Sequence, residues 1–197
     1  LERAFKLDIR DARILMELDQ LYKRLNHPHA DRLDLLDKLK EVAFSRDDLY
    51  LEYVTLLNQL GRYEEAIHMI DARRFHPWEG GEGKVPAQYQ LARVELVKAC
   101  LKAGENEKAL DLIEECFIYP HNLGEGKLYG AQENDFNYYK ACALQALGRE
   151  AEARELFLAA STGNSQPAAA MYYNDQKPDK IFYQGLAFRK LGREDEA

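Results

Sequence analysis

Several features that mark large protein classes are missing from this chain. Nowhere in its 197 residues does an apolar run approach the roughly 20 residues that a membrane-spanning helix requires, so no membrane role is expected. Cysteine is scarce and odd in number: Cys100, Cys116 and Cys142. With no framework spacing and apolar neighbours at helical intervals, they fit buried thiols in a reducing, cytoplasmic setting better than a disulfide scaffold. Positive charge is in deficit. Lys and Arg total 27 against 34 Asp and Glu, a formal net charge of −7, which argues against a nucleic-acid partner, whose phosphates demand a basic footprint. The start, "LERAFKLDIR", has no secretory apolar region and no initiator methionine, so the chain is expected to be a piece of a longer protein.

Catalytic signatures are absent as well. Gly-x-Ser-x-Gly, His-Glu-x-x-His and Cys-x-x-Cys do not occur, so no catalytic residue is assigned and no enzyme is expected. His27 and His29 flank Pro28 with Asp31 close by, but a metal site needs three or four converging ligands, and two histidines in a turn read as solvated. No metal or cofactor is expected. Acidic pairs such as Glu64–Glu65 and Glu114–Glu115 read as solvated helix faces.

What is present is a repeat. "GRYEEA" from Gly61, "GENEKA" from Gly104, "GREAEA" from Gly148 and "GREDEA" from Gly192 align without gaps, spaced by 43, 44 and 44 residues. Each glycine follows an apolar-periodic stretch and ends a helix, because glycine enters the left-handed region without steric cost. A second helix follows, acidic in its first turn as the helix dipole prefers. Its alanine (Ala66, Ala109, Ala153 or Ala197) is small because two helices cross closely there. Ala109, Leu110, Ile113, Cys116 and Phe117 then form a core-facing stripe, as do Ala153, Phe157 and Ala160. A single hairpin cannot cover its own apolar face, so the hairpins must stack.

The Gly-x-x-x-x-Ala hairpin resembles the tetratricopeptide repeat over about residues 47–197. The resemblance implies an all-α fold, a right-handed α-α superhelix of hairpins. Its repeats, at about 47–89, 90–133, 134–177 and a truncated 178–197, are elongated by about ten residues over the family's usual length of about 34. Pro77 and Pro120 are read as closing the first two second helices. The family's early aromatic is kept as Tyr50 but is Arg93 and Asn137 later; its small mid-helix residue is Val54 and Val97 before Ala141 and Gly185. Residues 1–46 read as a degenerate capping hairpin. Phe5, Ile9, Ala12 and Met16 make one stripe, "NHPHAD" a break, and Leu33, Leu36, Leu39 and Val42 a second stripe. At the other end, Phe182, Phe188 and Leu191 are expected to be partly uncovered, and any oligomer through that end would be an artefact of truncation.

Twin glycine-rich segments, "HPWEGGEGK" from His76 and "YPHNLGEGK" from Tyr119, share one phase of the repeat. A nucleotide P-loop is excluded. It needs a hydroxyl after the lysine, whereas Val85 follows Lys84 and Leu128 follows Lys127. Two readings remain. In one, the loops are long turns locked by their own residues, with Trp78 and Leu123 tucked against a neighbouring hairpin. In the other, His76, Trp78, Glu82, Lys84, His121, Glu125 and Lys127 form a polar ledge on one rim. The loop wording also resembles the C-terminal repeat region of large bacterial proteins that carry an upstream β-rich domain of unknown function and look related to carbohydrate-active proteins.

The family resemblance implies a non-catalytic interaction or scaffold module binding a peptide or a neighbouring domain of its parent. The alternative is an accessory part of a carbohydrate-active protein. In the family geometry the concave groove would be lined by Leu51, Thr55 and Asn58, then Val94, Lys98 and Leu101, then Tyr138, Cys142 and Gln145. Leu51, Thr55, Glu95 and Asp135 stand where chaperone-binding members carry a two-carboxylate clamp, so binding of chaperone C-termini is not expected.

Overall fold

A computed structural model of the chain describes residues 1–168, 175 and 177–197. Every regular element among them is helical. In order these are α1 (Glu2–Leu7), α2 (Ala12–Arg24), α3 (His29–Lys38), α4 (Lys40–Ala43), α5 (Asp47–Gln59), α6 (Tyr63–Asp71), α7 (Lys84–Ala103), α8 (Asn106–Cys116), α9 (Asn134–Ala146), α10 (Glu150–Ala160) and α11 (Pro178–Lys190), with single 3-10 turns at His121–Leu123 and Glu194–Glu196. No helix among the described residues is long and apolar enough to cross a membrane.

The repeat glycines do the work expected of them. Gly61, Gly104, Gly148 and Gly192 each follow a helix end at φ of 74°, 78°, 76° and 74°. After α5, Gly61 N donates to Asn58 O at 3.1 Å and Arg62 N to Leu57 O at 2.9 Å. These paired bonds are a Schellman cap, which satisfies carbonyls that the helix end leaves open. The same pair recurs after α7, α9 and α11. It also appears where no glycine marks it. After α2, Asn26 sits at φ 55°; its N–H reaches Lys23 O at 3.1 Å and that of His27 reaches Tyr22 O at 3.0 Å. A Cβ at Gly148 would meet nothing within 4 Å, so backbone strain is its whole penalty. Gly148→Ala is expected to lose about 1–2 kcal/mol in urea unfolding, while Asn26→Gly should be neutral or stabilising by up to about 1 kcal/mol.

The helix crossings follow the same phase. Seven residues before each cap glycine stand Val54, Val97, Ala141 and Gly185. Four past each second-element N-cap stand Ala66, Ala109, Ala153 and Ala197. Val54, Val97, Ala141, Ala66 and Ala109 are fully buried and Ala153 nearly so. Only small side chains let two backbones approach this closely at native packing density. In the first hairpin, α2–α3, the equivalent positions hold Asp19 and Arg32, and both are buried.

The chain divides into two compact units, residues 1–92 with 122–124, and residues 93–121 with 125–197. In the first, α3 and α6 pack on α5, and a single core runs from Leu15 through Leu57 and Ile70 to Tyr89 and Leu123. In the second, α9 lies against α8, α10 and α11. Its apolar clusters centre on Val97, Ile113 and Phe136, and on Leu144, Phe157 and Ala187.

Several sequence expectations need correction. The stripe from Phe5 to Met16 is not one helix: the chain breaks at residues 8–11, and Ile9 is half exposed. Asp8 accepts from Arg10 N, and Asp11 caps α2 by accepting from Arg13 N and Ile14 N; such short acidic side chains offer the backbone an alternative to continuous helix. The second stripe breaks at Leu39, between α3 and α4. Residues 1–46 share their core with α5. The second helices end at Asp71 and Cys116, before Pro77 and Pro120, so those prolines lie in the connections and close neither helix. Ala197 is exposed beside a 3-10 turn, yet its carbonyl carbon lies 3.6 Å from where a Cβ on Gly185 would stand. Of the expected third repeat, residues 169–174 and 176 lie outside the described residues.

Candidate functional site

In unit 1, the expected groove positions are mostly interior. Leu51 and Asn58 are each 4 % exposed, because α3, α4 and α6 all pack on α5 and leave it no free face at those positions. Thr55 turns its hydroxyl inward to Leu51 O at 2.8 Å. Asn58 Nδ2 donates to Gln88 O and Oε1 at 3.2 and 2.9 Å, while its Oδ1 is buried without a partner. Leu51 and Asn58 are therefore interior, whereas Thr55 stays partly exposed.

In unit 2, Val94 is also buried, but the neighbouring positions reach the surface. Leu101, Tyr138, Cys142 and Gln145 are half-buried. Lys98 Nζ pairs with Glu95 at 2.6 Å and stands 5.8 Å from the Tyr139 ring. Tyr138 and Tyr139 of α9 meet Tyr183 of α11 with ring centroids 5.7 and 5.4 Å apart. The hydroxyls of Tyr139 and Tyr183 lie 2.8 Å from one another, and Phe182 beside them is 62 % exposed. Burial pushes the Tyr138 phenol up to about 12 and raises that of Tyr139 too, so both act as neutral hydrogen-bonding rings at physiological pH. Tyr139 and Tyr183 were overlooked in the sequence, although each stands nine residues before its cap glycine.

The glycine-rich loops lean to the locked-turn reading. Asn122 Nδ2 donates to Ile70 O and Arg73 O at 2.9 and 3.1 Å, and Phe75 N donates to Asn122 O at 2.7 Å. Gly124 sits so close to Phe75 that a Cβ would lie 2.7 Å from its carbonyl oxygen. Trp78 is no open platform: it covers Gly81, where a Cβ would come within 2.3 Å of the indole, and it packs on the core with Leu123. His76 is exposed, but its backbone N–H and ring face Asp47 Oδ2 at 2.8 and 3.1 Å. Burial alone would raise the Asp47 carboxyl, yet bonds from His76 and Arg73 outweigh it and hold it below its ordinary value. Glu82 and Lys84 are exposed, and Lys84 opens α7 instead of lying in the loop. Lys127 pairs with Glu133. His121 is exposed in its 3-10 turn and Glu125 half-buried.

The most polar interior lies where the sequence offered no motif. Arg32 Nε and Nη2 donate to Asp19 Oδ1 and Oδ2 at 3.0 and 2.7 Å, and Nη2 also reaches Glu52 Oε1 at 2.6 Å. Lys23 Nζ joins Glu52 at 2.9 Å. Burial would lift the Glu52 carboxyl, but the bonds and charges of Lys23 and Arg32 overcome it and hold it below its ordinary value; for Asp19 burial prevails and raises the carboxyl. The signal was legible only in alignment: Asp19 and Arg32 stand at the two crossing positions that elsewhere are small.

Burial pushes the Cys116 thiol up to about 12, leaving it protonated at neutral pH, whereas the nucleophile and metal ligand is the thiolate. Among the described residues no three His, Cys, Asp or Glu side chains gather as metal ligands would. No known protein-family model matches the chain.

Proposed function

We propose that the chain is a non-catalytic interaction module of tetratricopeptide-like hairpins. In this reading they stack as a right-handed superhelix within a larger bacterial protein and hold a peptide segment or a neighbouring domain of that parent. The observation that carries the reading is the Tyr138–Tyr139–Tyr183 cluster, presented by first helices of successive hairpins beside the exposed Phe182. Tyrosine combines a large apolar face with a polar tip at little entropic cost, and it is enriched at the centres of protein interfaces. The recurrent caps and small crossings support the family resemblance.

The test is a thermal-shift and calorimetric screen of the chain against overlapping peptides from the rest of its parent and against a glycan panel. Peptide binding is expected, weakened roughly tenfold or more in Tyr138→Ala, as for an aromatic anchor contributing about 1.5–2 kcal/mol, and unchanged in Glu82→Ala with Glu125→Ala. A sugar-dependent rise in Tm that disappears in that double variant would overturn the proposal in favour of a carbohydrate-associated role.

A further inference from the structure

An aromatic pair recurs in phase on α9 and α11. Tyr138 and Phe182 stand ten residues before their cap glycines, and Tyr139 and Tyr183 nine. Tyr139 and Tyr183 meet edge to face at 66°, as do Phe182 and Tyr183 at 75°. The hydroxyls of Tyr139 and Tyr183, 2.8 Å apart, hold two protons and use one between them. Whichever phenol donates, the other keeps an O–H for a further acceptor. Charge beside these rings is already matched. Lys98, 5.8 Å from the Tyr139 ring, pairs with Glu95 at 2.6 Å. Lys180 of α11 pairs with Asp135 of α9 at 2.5 Å, and both side chains are almost covered.

We infer, resting on the interaction reading above, that this face takes an uncharged, proline-rich segment in the extended polyproline II form. Other ways of holding a peptide meet it poorly. Strand addition requires an open sheet edge, and the described residues contain no strand. Capture of an acidic or phosphorylated motif requires a cluster of cations, whereas Lys98 and Lys180 are each held by a carboxylate. A bound amphipathic helix turns its own polar groups inward to its backbone and offers the phenol no free carbonyl along its length. A polyproline II segment matches on each count. It brings no charge, its proline rings lie on aromatic side chains, and its backbone carbonyls have no internal partner and can accept from the phenol. Its conformation is set before it binds, so little ordering opposes the contact.

The test is a calorimetric and amide-NMR titration of the intact chain with decaproline blocked at both ends, against blocked alanine-rich and acidic peptides of equal length. Decaproline is expected to bind saturably, about tenfold or more tighter than either control, with shifts at the Tyr139 and Tyr183 amides. Tyr139→Phe with Tyr183→Phe removes both partners of one hydrogen bond and keeps their shape, so the fold is retained. Decaproline affinity in that variant should fall about three- to tenfold. Phe182→Ala, at an exposed position, should weaken it by about tenfold. Equal binding of the three peptides, tighter binding of a control, or undiminished affinity in both variants would overturn the proline-rich assignment. A parent peptide that binds through Tyr138 while decaproline does not would overturn this assignment alone and leave the interaction reading standing. Saturable binding by no peptide at all would overturn both.

Discussion

Arg32→Met is expected to destabilise the chain by about 3–5 kcal/mol in urea unfolding, because it removes the shared partner of two buried carboxylates. Asp19 has no exposure and its closest ion-pair partner is Arg32 at 2.7 Å. Lys23 would still serve Glu52 at 2.9 Å, so Asp19 is left as the uncompensated charge. Pairing alone does not make such a cluster stabilising, since desolvating its ions can offset their attraction. The second half of the prediction follows from that. Asp19→Leu combined with Arg32→Met should recover most of the loss, since the crossing becomes apolar like those at Val54–Ala66 and Ala141–Ala153. A loss below about 1 kcal/mol in the single variant, the range of an exposed pair, would show that the arginine is not holding the α2–α3 crossing.

The second large effect is expected at Leu123. Leu123→Ala should cost about 2–5 kcal/mol, the range for emptying a fully buried leucine site, although the residue lies in a connection. Leu123 is 1 % exposed within the core of unit 1. The Asn122 bonds to Ile70 O and Arg73 O seat it there. Glu82→Ala, at an exposed position, should change stability by no more than about 0.5 kcal/mol. Equal and small effects from both changes would mean that the loop is not seated, and the polar-ledge reading would regain its ground.

The contrast between these residues shows what a linear reading reached. The cap glycines were legible because a left-handed turn leaves few alternatives to glycine, and the three buried alanines because a close crossing leaves few alternatives to a small residue. The first hairpin lost both markers, with Asn26 tolerating the same turn and a buried ion pair filling the crossing; its break at "NHPHAD" was still legible, but the meeting of Asp19 with Arg32 was not. The groove was drawn from family geometry, which does not say that α5 is covered by α3, α4 and α6; hence Leu51 and Asn58 were placed on a surface they do not reach. Trp78 and Leu123 fitted either loop reading until Gly81, Gly124 and Asn122 fixed their surroundings.

By itself, then, the order of amino acids determined the all-helical character, the phase of the hairpins and the ends of most first helices, since each depends on contacts a few residues apart. Tertiary structure alone decided which helix faces remain open, where Arg32 finds its carboxylates and what lies beneath the glycine-rich loops. Those outcomes depend on burial and on groups on different elements, such as Asp19 with Arg32, 13 residues apart, and Ile70 with Asn122, 52 apart, whose meeting no local pattern encodes.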